Sequence, residues 1–349
     1  MFKILYIIQI ILFLILPLII TVAFYTLAER KIIASIQRRS GPNVVGIWGL
    51  LQPFADGLKA ILKEQIKPLR ATFYLFILAP ILTFLISLLA LNFVCFKFTR
   101  SYFDEILNFL FFFSISSFNV FGIIFAGWTS NSKYTLLGSL RAAAQTFSFE
   151  MCFITLLLPI FLLNSTFNLI NIVIYQINYW NFFVFFPLAI YFFIILLAET
   201  NRTPFDLPEA EAELVAGYNL EYSAINFALF FLGEYTNMLL NSAIFVIFFL
   251  GGWLPFFFLK NLTFFIGISF FFIFKLIFVA CQFIIVRAIL PRYRFDQLMD
   301  LCWKKILPMS CAFFLFFIFL IYFFNGFQYN LELDFLKPKN LIVVFYTFL

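Results

Sequence analysis

Histidine is absent from all 349 residues, which excludes haem held by imidazole, Rieske-type clusters, His-based metal sites and His proton shuttles. Readings as a cytochrome b or a haem–copper oxidase fall with it. Cysteine is scarce: the five stand singly at Cys95, Cys152, Cys281, Cys302 and Cys311, without the CxxC or clustered spacing that holds zinc or an iron–sulfur centre. Charge is thin too, at 11% of residues, and no polar stretch is long enough to enclose a core of its own. The chain reads as one membrane domain, residues 1–349. No Arg-rich, acid-poor transit segment precedes the first apolar run, and that run lacks a small-residue cleavage site, so no segment is expected to be removed.

What the chain has is apolar surface. Hydrophobic residues make up 64% and aromatics 23%, with 59 Phe, against about 45–50% apolar in soluble domains. Runs long enough to cross about 30 Å of hydrocarbon occur at Ile4–Leu27, Phe73–Phe96, Ile106–Trp128, Ala142–Leu163, Phe182–Ala198, Met238–Phe258, Leu262–Val286 and Met309–Phe327. They are continuous rather than alternating, which predicts about eight transmembrane helices, an all-α integral membrane fold, and no barrel. Sixteen of the 23 Lys and Arg fall in the loops joining spans one to two, three to four, five to six and seven to eight; six lie on the other side and Lys275 sits inside a span. The positive-inside rule then places the N-terminus outside and these four loops inside. The net charge of +6 concentrates in Arg30–Arg70 and Arg287–Lys305, and in a membrane chain it points to lipid headgroups or an acidic partner rather than nucleic acid.

Four stretches carry chemistry. In the first loop Leu51, Phe54, Leu58, Ile61 and Leu62 recur at helical spacing opposite Gln52, Asp56, Lys59 and Lys63, the pattern of an amphipathic helix lying in the interface. It serves either as a surface anchor, with Lys59 neutralising Asp56 one turn away, or as a lintel over a lateral entrance for an amphiphile. In the fourth span Arg141, Gln145 and Ser148 share a face while Glu150 lands on the opposite one, so Glu150 is no partner of Arg141 within its helix. An intramembrane carboxylate pairs with a cation from another helix or relays protons, and the second use is the expected one. Between Glu199 and Tyr222 the chain packs six of its seventeen acids into one loop: Glu199, Asp206, Glu209, Glu211, Glu213 and Glu221. Pro204 and Pro208 end the preceding helix, and Pro208 is placed to open a new one over EAEAELVAGY. Clustered carboxylates raise one another's pKa and so exchange protons readily. The basic stretch RAILPRYRFDQLMDLCWKK suits docking to an acidic surface.

Taken together, AERK at 28–31, QRRSGPNVVG at 37–46, LQPFADGLKAILKE at 51–64, RAAAQTFSFE at 141–150, AETNRTPFDLPEAEAELVAGYNLEY at 198–222, GEYTNM at 233–238 and PRYRFDQLMDL at 291–301 resemble one family, that of NADH dehydrogenase subunit 1 of the respiratory NADH:ubiquinone oxidoreductase (complex I). The resemblance spans nearly the whole chain. It implies an eight-helix subunit with interfacial amphipathic helices and an antiporter-half-like five-helix unit inside. Such a subunit joins the membrane arm to the redox arm of a proton-translocating enzyme and is not catalytic as an isolated chain. It implies that this chain holds no cofactor, with ubiquinone as substrate and FMN and the iron–sulfur clusters in partner subunits. The partners implied are the terminal iron–sulfur subunit, the hydrogenase-like subunit, small and antiporter-like membrane-arm subunits, and phospholipids.

By the same resemblance Glu29, Arg30, Asp56, Lys59, Asp206 and Tyr235 are expected along the quinone tunnel, and Arg287, Arg292 and Arg294 near the docking face. Glu150, Glu199, Glu209, Glu211, Glu213 and Glu221 are expected in an acidic funnel leading to the proton path. Phe149 and Phe295 stand where the family carries Tyr, which puts any hydrogen bond of those hydroxyls in doubt. The abundance of Phe, whose codons are T-rich, points to organellar coding and hence to the mitochondrial inner membrane. Two other classes remain on the residues alone: a stand-alone ion-coupled transporter, and a structural anchor for soluble partners.

Overall fold

A computed structural model describes residues 16–91, 107–177, 179–206, 217–255 and 268–323. Among them all regular structure is helical: α1 (Leu16–Ile36), α2 (Gln52–Leu62), α3 (Phe73–Leu91), α4 (Asn108–Thr129), α5 (Lys133–Asn164), α6 (Leu169–Tyr175), α7 (Phe186–Glu199), α8 (Ala224–Phe249), α9 (Ile268–Ile289), α10 (Phe295–Asp300) and α11 (Leu307–Phe323). Six stretches are long and apolar enough to cross a bilayer: α3, α4, α5, α8, residues Phe270–Ile289 of α9, and the continuous Phe295–Phe323. The chain is an all-α, multi-pass membrane protein. Of the other two expected spans, the first is described only from Leu16 onward. The fifth appears as α7, whose 14 residues rise about 21 Å, preceded by one turn at Asn181–Val184.

The boundaries of the fourth and sixth spans differ from expectation in ways that matter for the site. The fourth span begins at Lys133 rather than Ala142 because Ser132 caps the helix, its Oγ accepting from the Thr135 N–H. The sixth runs Ala224–Phe249 instead of Met238–Phe258. It starts after the extended Ser223 and ends where Gly251 and Gly252 adopt φ of 70° and 53°, a conformation that terminates a helix and favours glycine. The segment holding Glu234 and Tyr235, read as loop on hydropathy, is therefore inside a membrane helix.

The four inter-span loops named above meet at one end of the bundle. Ile66 N–H donates to Ser223 Oγ (2.9 Å), Asn131 Nδ2 to Arg70 O (3.2 Å) and Tyr293 N–H to Pro204 O (3.0 Å). At the other end Lys275, buried in α9, closes off the C-terminus of α8. Its Nζ donates to the carbonyls of Leu250 (2.6 Å), Gly252 (3.1 Å) and Leu254 (2.6 Å) and lies 4.3 Å from the Trp180 ring. Gln176 and Asn181 donate to Ile247 O and Phe248 O. The carbonyls that a helix end leaves unsatisfied thus receive side-chain donors, and a cation faces the negative end of the helix dipole.

Helices approach closely where side chains are small. A Cβ at Gly122 of α4 would come within 2.3 Å of Thr83 Cγ2 on α3, and one at Gly138 of α5 within 2.8 Å of Gly217 Cα, so each contact requires glycine. The core is built largely of Phe rings. Phe109 lies 4.6 Å from Phe161 and 5.5 Å from Phe248, and Phe192 lies 5.1 Å from Phe153 and 5.3 Å from Phe249. A π-helical turn, Leu301–Ile306, joins α10 to α11 and carries Cys302, whose Sγ stands 3.4 Å from Cys152 Sγ of α5 and 3.3 Å from Ser148 O. Two cysteines that stand apart in sequence are neighbours in space.

Candidate functional site

The apolar face foreseen for α2 exists and is uncovered. No residue of α2 is buried, and Phe54, Leu58, Ile61 and Leu62 are exposed. Its polar side is tied to α1, because Asp56 accepts from Arg30 Nη1 at 2.8 Å and from Gln52 Nε2 at 3.0 Å. Asp56 is neutralised across helices by Arg30, whereas Lys59 is exposed and forms no ion pair with it. The alternative of a Lys59–Asp56 pair within the helix is thereby set aside, because the α1 guanidinium already occupies the carboxylate.

Next to Arg30 in α1, Glu29 is 3% exposed. Tyr235 OH donates to its Oε2 at 2.5 Å and Arg287 pairs with its Oε1, which supplies the counter-charge that a buried carboxylate requires. On the far side of Tyr235 lies Arg202, 3% exposed, with its guanidinium carbon 4.5 Å from the Tyr235 ring centroid and 5.6 Å from that of Phe231, both within cation–π range. Arg202 Nη2 is 3.0 Å from Glu234 Oε2, and Tyr218 OH donates to Glu234 Oε1 at 2.9 Å. Alternating charge and aromatic face therefore run unbroken from Arg287 through Glu29, Tyr235, Arg202 and Glu234 to Tyr218. Beside this chain Asp206, 5% exposed, accepts from Arg292 Nη2 at 2.7 Å.

The chain ends at a cavity of about 60 Å³ among α3, α4, α5, α7 and α8, lined by Glu150, Glu199, Glu234, Tyr218, Asn237 and Asn241 with further hydroxyl and amide residues. By the one-probe-sphere measure of roughly 10–15 Å³ per water it admits several. Glu150, 8% exposed, forms no hydrogen bond or ion pair with the described residues; the cation from another helix that a structural role would need is not there.

The structure thus brings Glu29, Tyr235 and Arg287 together, Arg30 with Asp56, Asp206 with Arg292, and Glu150 with Glu199. Lys59 stands apart on the exposed side of α2. Arg294 is exposed and pairs with equally exposed Asp296 at 3.3 Å. Glu221 is half-buried and does not line the cavity. Glu209, Glu211 and Glu213, with the helix expected after Pro208, lie outside the described residues. Phe149 is fully buried, 6.3 Å from the Phe205 ring, and Phe295 offers its ring to Arg141 at 5.8 Å, a contact made by the ring rather than a hydroxyl.

Sequence reasoning misses Arg202, Glu234, Tyr218 and Asn241. The signal for Glu234 is present, an acid within the GEYTNM segment, but hydropathy starts the span four residues too late to include it. Arg202 stands inside the acidic loop, where it reads as local charge balance.

The profile of the NADH dehydrogenase family matches residues 8–318. NADH-ubiquinone oxidoreductase chain 1 of Cyanidium caldarium is 54% identical over 300 residues, covering 85% of this chain and 86% of that one. The protein of the same name from Arabidopsis thaliana is 53% identical over 300 residues, covering 85% and 91%. A bacterial NADH-quinone oxidoreductase subunit, from Rickettsia conorii, is 50% identical over 296 residues, covering 84% and 87%.

Proposed function

The chain belongs to the NADH dehydrogenase family that contains NADH-ubiquinone oxidoreductase chain 1 and its bacterial NADH-quinone oxidoreductase relatives, a membrane subunit of an oxidoreductase complex, and from that premise we propose that it couples quinone chemistry at one end of its buried charge chain to protonation of the cavity at the other. Ubiquinone is the substrate. The quinone headgroup enters beside α2, whose uncovered apolar face suits an isoprenoid tail, and comes to the Glu29, Arg30, Asp56, Asp206 and Tyr235 end. Electrons arrive from partner subunits that hold FMN and iron–sulfur clusters; this chain supplies none.

The observation that carries this reading is the continuous contact from Glu29 to Glu234 on the cavity wall. A change of charge at the quinone end alters which partner Tyr235 and Arg202 favour, and Arg202 transmits it to Glu234 without any group crossing the chain. Glu150 and Glu199 then take or release protons toward the rest of the membrane arm, and Glu209, Glu211, Glu213 and Glu221 extend the acidic path on the loop side. The terminal iron–sulfur and hydrogenase-like subunits dock on the loop end around Arg294, with Arg287 and Arg292 held inward beneath them. The antiporter-like and small membrane-arm subunits pack on the lipid-facing helices. By its kinship with chain 1 proteins the complex sits in the mitochondrial inner membrane.

The test is Glu150→Gln and Glu199→Gln in the assembled complex, in proteoliposomes. NADH-to-ferricyanide reduction stays at the native rate while quinone reduction and its linked proton uptake fall together, at least tenfold. Full quinone reduction and full pumping in both variants would sink the proposal, and loss of the complex from the membrane would favour the structural-anchor reading.

A further inference from the structure

The wall of the cavity is rich in oxygen acceptors. Thr83, Ser116, Thr146 and Thr200 each donate their hydroxyl hydrogen to a carbonyl three or four residues earlier in the same helix, at 3.0, 2.9, 3.1 and 2.8 Å, and so offer only lone pairs to the interior. Asn241 is 1% exposed and lines the cavity beside Glu199, and its Oδ1 is buried with no partner among the described residues. Asn119 Oδ1, Asn201 Oδ1 and Glu199 Oε2 are likewise buried and unpartnered. Glu150 adds a carboxylate with no counter-ion, whereas the charge of Glu234 is balanced by Arg202.

We propose that this cavity binds a hard monovalent cation of the Na+ class, held by carboxylate and amide oxygens. Water satisfies acceptors one at a time, and a proton neutralises one carboxylate but leaves the amide oxygens as they are, whereas a cation answers the carboxylates and the orphaned amide oxygens together. Oxygen-only ligation by uncharged amides plus carboxylate selects a hard ion, and no Cys or other soft donor lines the space. A divalent ion suits it less, since Mg2+ demands near-ideal octahedral geometry and gives up its waters reluctantly, whereas the orphaned oxygens here are mostly neutral amide oxygens on separate helices. Binding stands on this geometry alone. The further consequence, that Na+ and protons exchange at Glu150 and Glu199, rests on the proton-path reading above.

Two readouts on the assembled complex test it. The first follows modification of Glu150 and Glu199 by dicyclohexylcarbodiimide, by peptide mass spectrometry, with Na+ replaced by N-methylglucamine at constant ionic strength. Na+ slows labelling at both residues several-fold, and K+ does so less. The second counts 22Na+ bound at equilibrium by native complex and by Asn241→Leu and Asn119→Leu complexes, the two variants lying on different helices so that one assembly failure does not silence the test. Each variant binds one Na+ fewer than the native complex. Labelling that ignores Na+, together with an unchanged ion count, overturns the proposal in favour of a cavity holding only water and protons. Ca2+ protecting in place of Na+ overturns the monovalent assignment. Absence of labelling under all conditions counts against the proton path instead, and the ion count then decides the cation site by itself.

Discussion

Arg202 Nη2 and Glu234 Oε2 lie 3.0 Å apart, with side chains 4% and 15% exposed, and this pair is where the Glu29–Tyr235 group and the cavity residues meet. A buried pair gains little over an apolar replacement but costs heavily when one partner is removed. Glu234→Met or Arg202→Met alone is therefore expected to destabilise the subunit by about 3–5 kcal/mol, while Arg202→Met with Glu234→Met recovers much of that loss. Thermal inactivation of the four complexes, taken as a double-mutant cycle, checks the coupling; additive losses would show that the pair does not act as a unit.

Tyr235→Phe keeps the ring that Arg202 packs on and removes only the donor to Glu29. The hydrogen bond to a charged acceptor is worth about 1.5–3 kcal/mol. The expected result is slower quinone reduction with ferricyanide reduction at the flavin unchanged. Equal loss of both rates in a steady-state assay would instead indicate failed assembly.

Arg30 and Asp56 form an exposed pair, 53% and 40% accessible, of a kind that contributes about 0–1 kcal/mol. Removing either should leave the amount of assembled complex almost unchanged, yet raise KM for quinone or lower kcat, since both sit between α1 and the open face of α2. A native quinone KM and kcat in Arg30→Ala and Asp56→Ala would remove α2 from the entry route.

Lys275→Met strips three carbonyls of their shared donor and leaves the C-terminus of α8 without its cation. The cost is on the order of 3 kcal/mol. Because the site lies beyond the C-terminus of α8, about four turns from Glu234, the expected phenotype is a lower Tm and less assembled complex, with near-native turnover per assembled copy. A catalytic defect at native Tm and native assembly would contradict a purely architectural role.

Much of this protein is decided by composition and pattern. Absence of His and the scatter of Cys remove whole classes of redox chemistry, and the continuous apolar runs dictate helices because an unpaired backbone is intolerable in hydrocarbon. The amphipathic α2 is legible from the spacing of Leu51, Phe54, Leu58, Ile61 and Leu62, and Glu150 and Glu199 stand out as acids where acids are costly. Partnership is not legible. Glu234 joins the site only because α8 starts at Ala224; hydropathy places a span by its apolar centre, while Arg202 from another element makes the charged end tolerable to bury. The set of oxygen acceptors lining the cavity, too, belongs to the tertiary structure, since whether a Thr hydroxyl presents a proton or a lone pair depends on which neighbour has already taken the other.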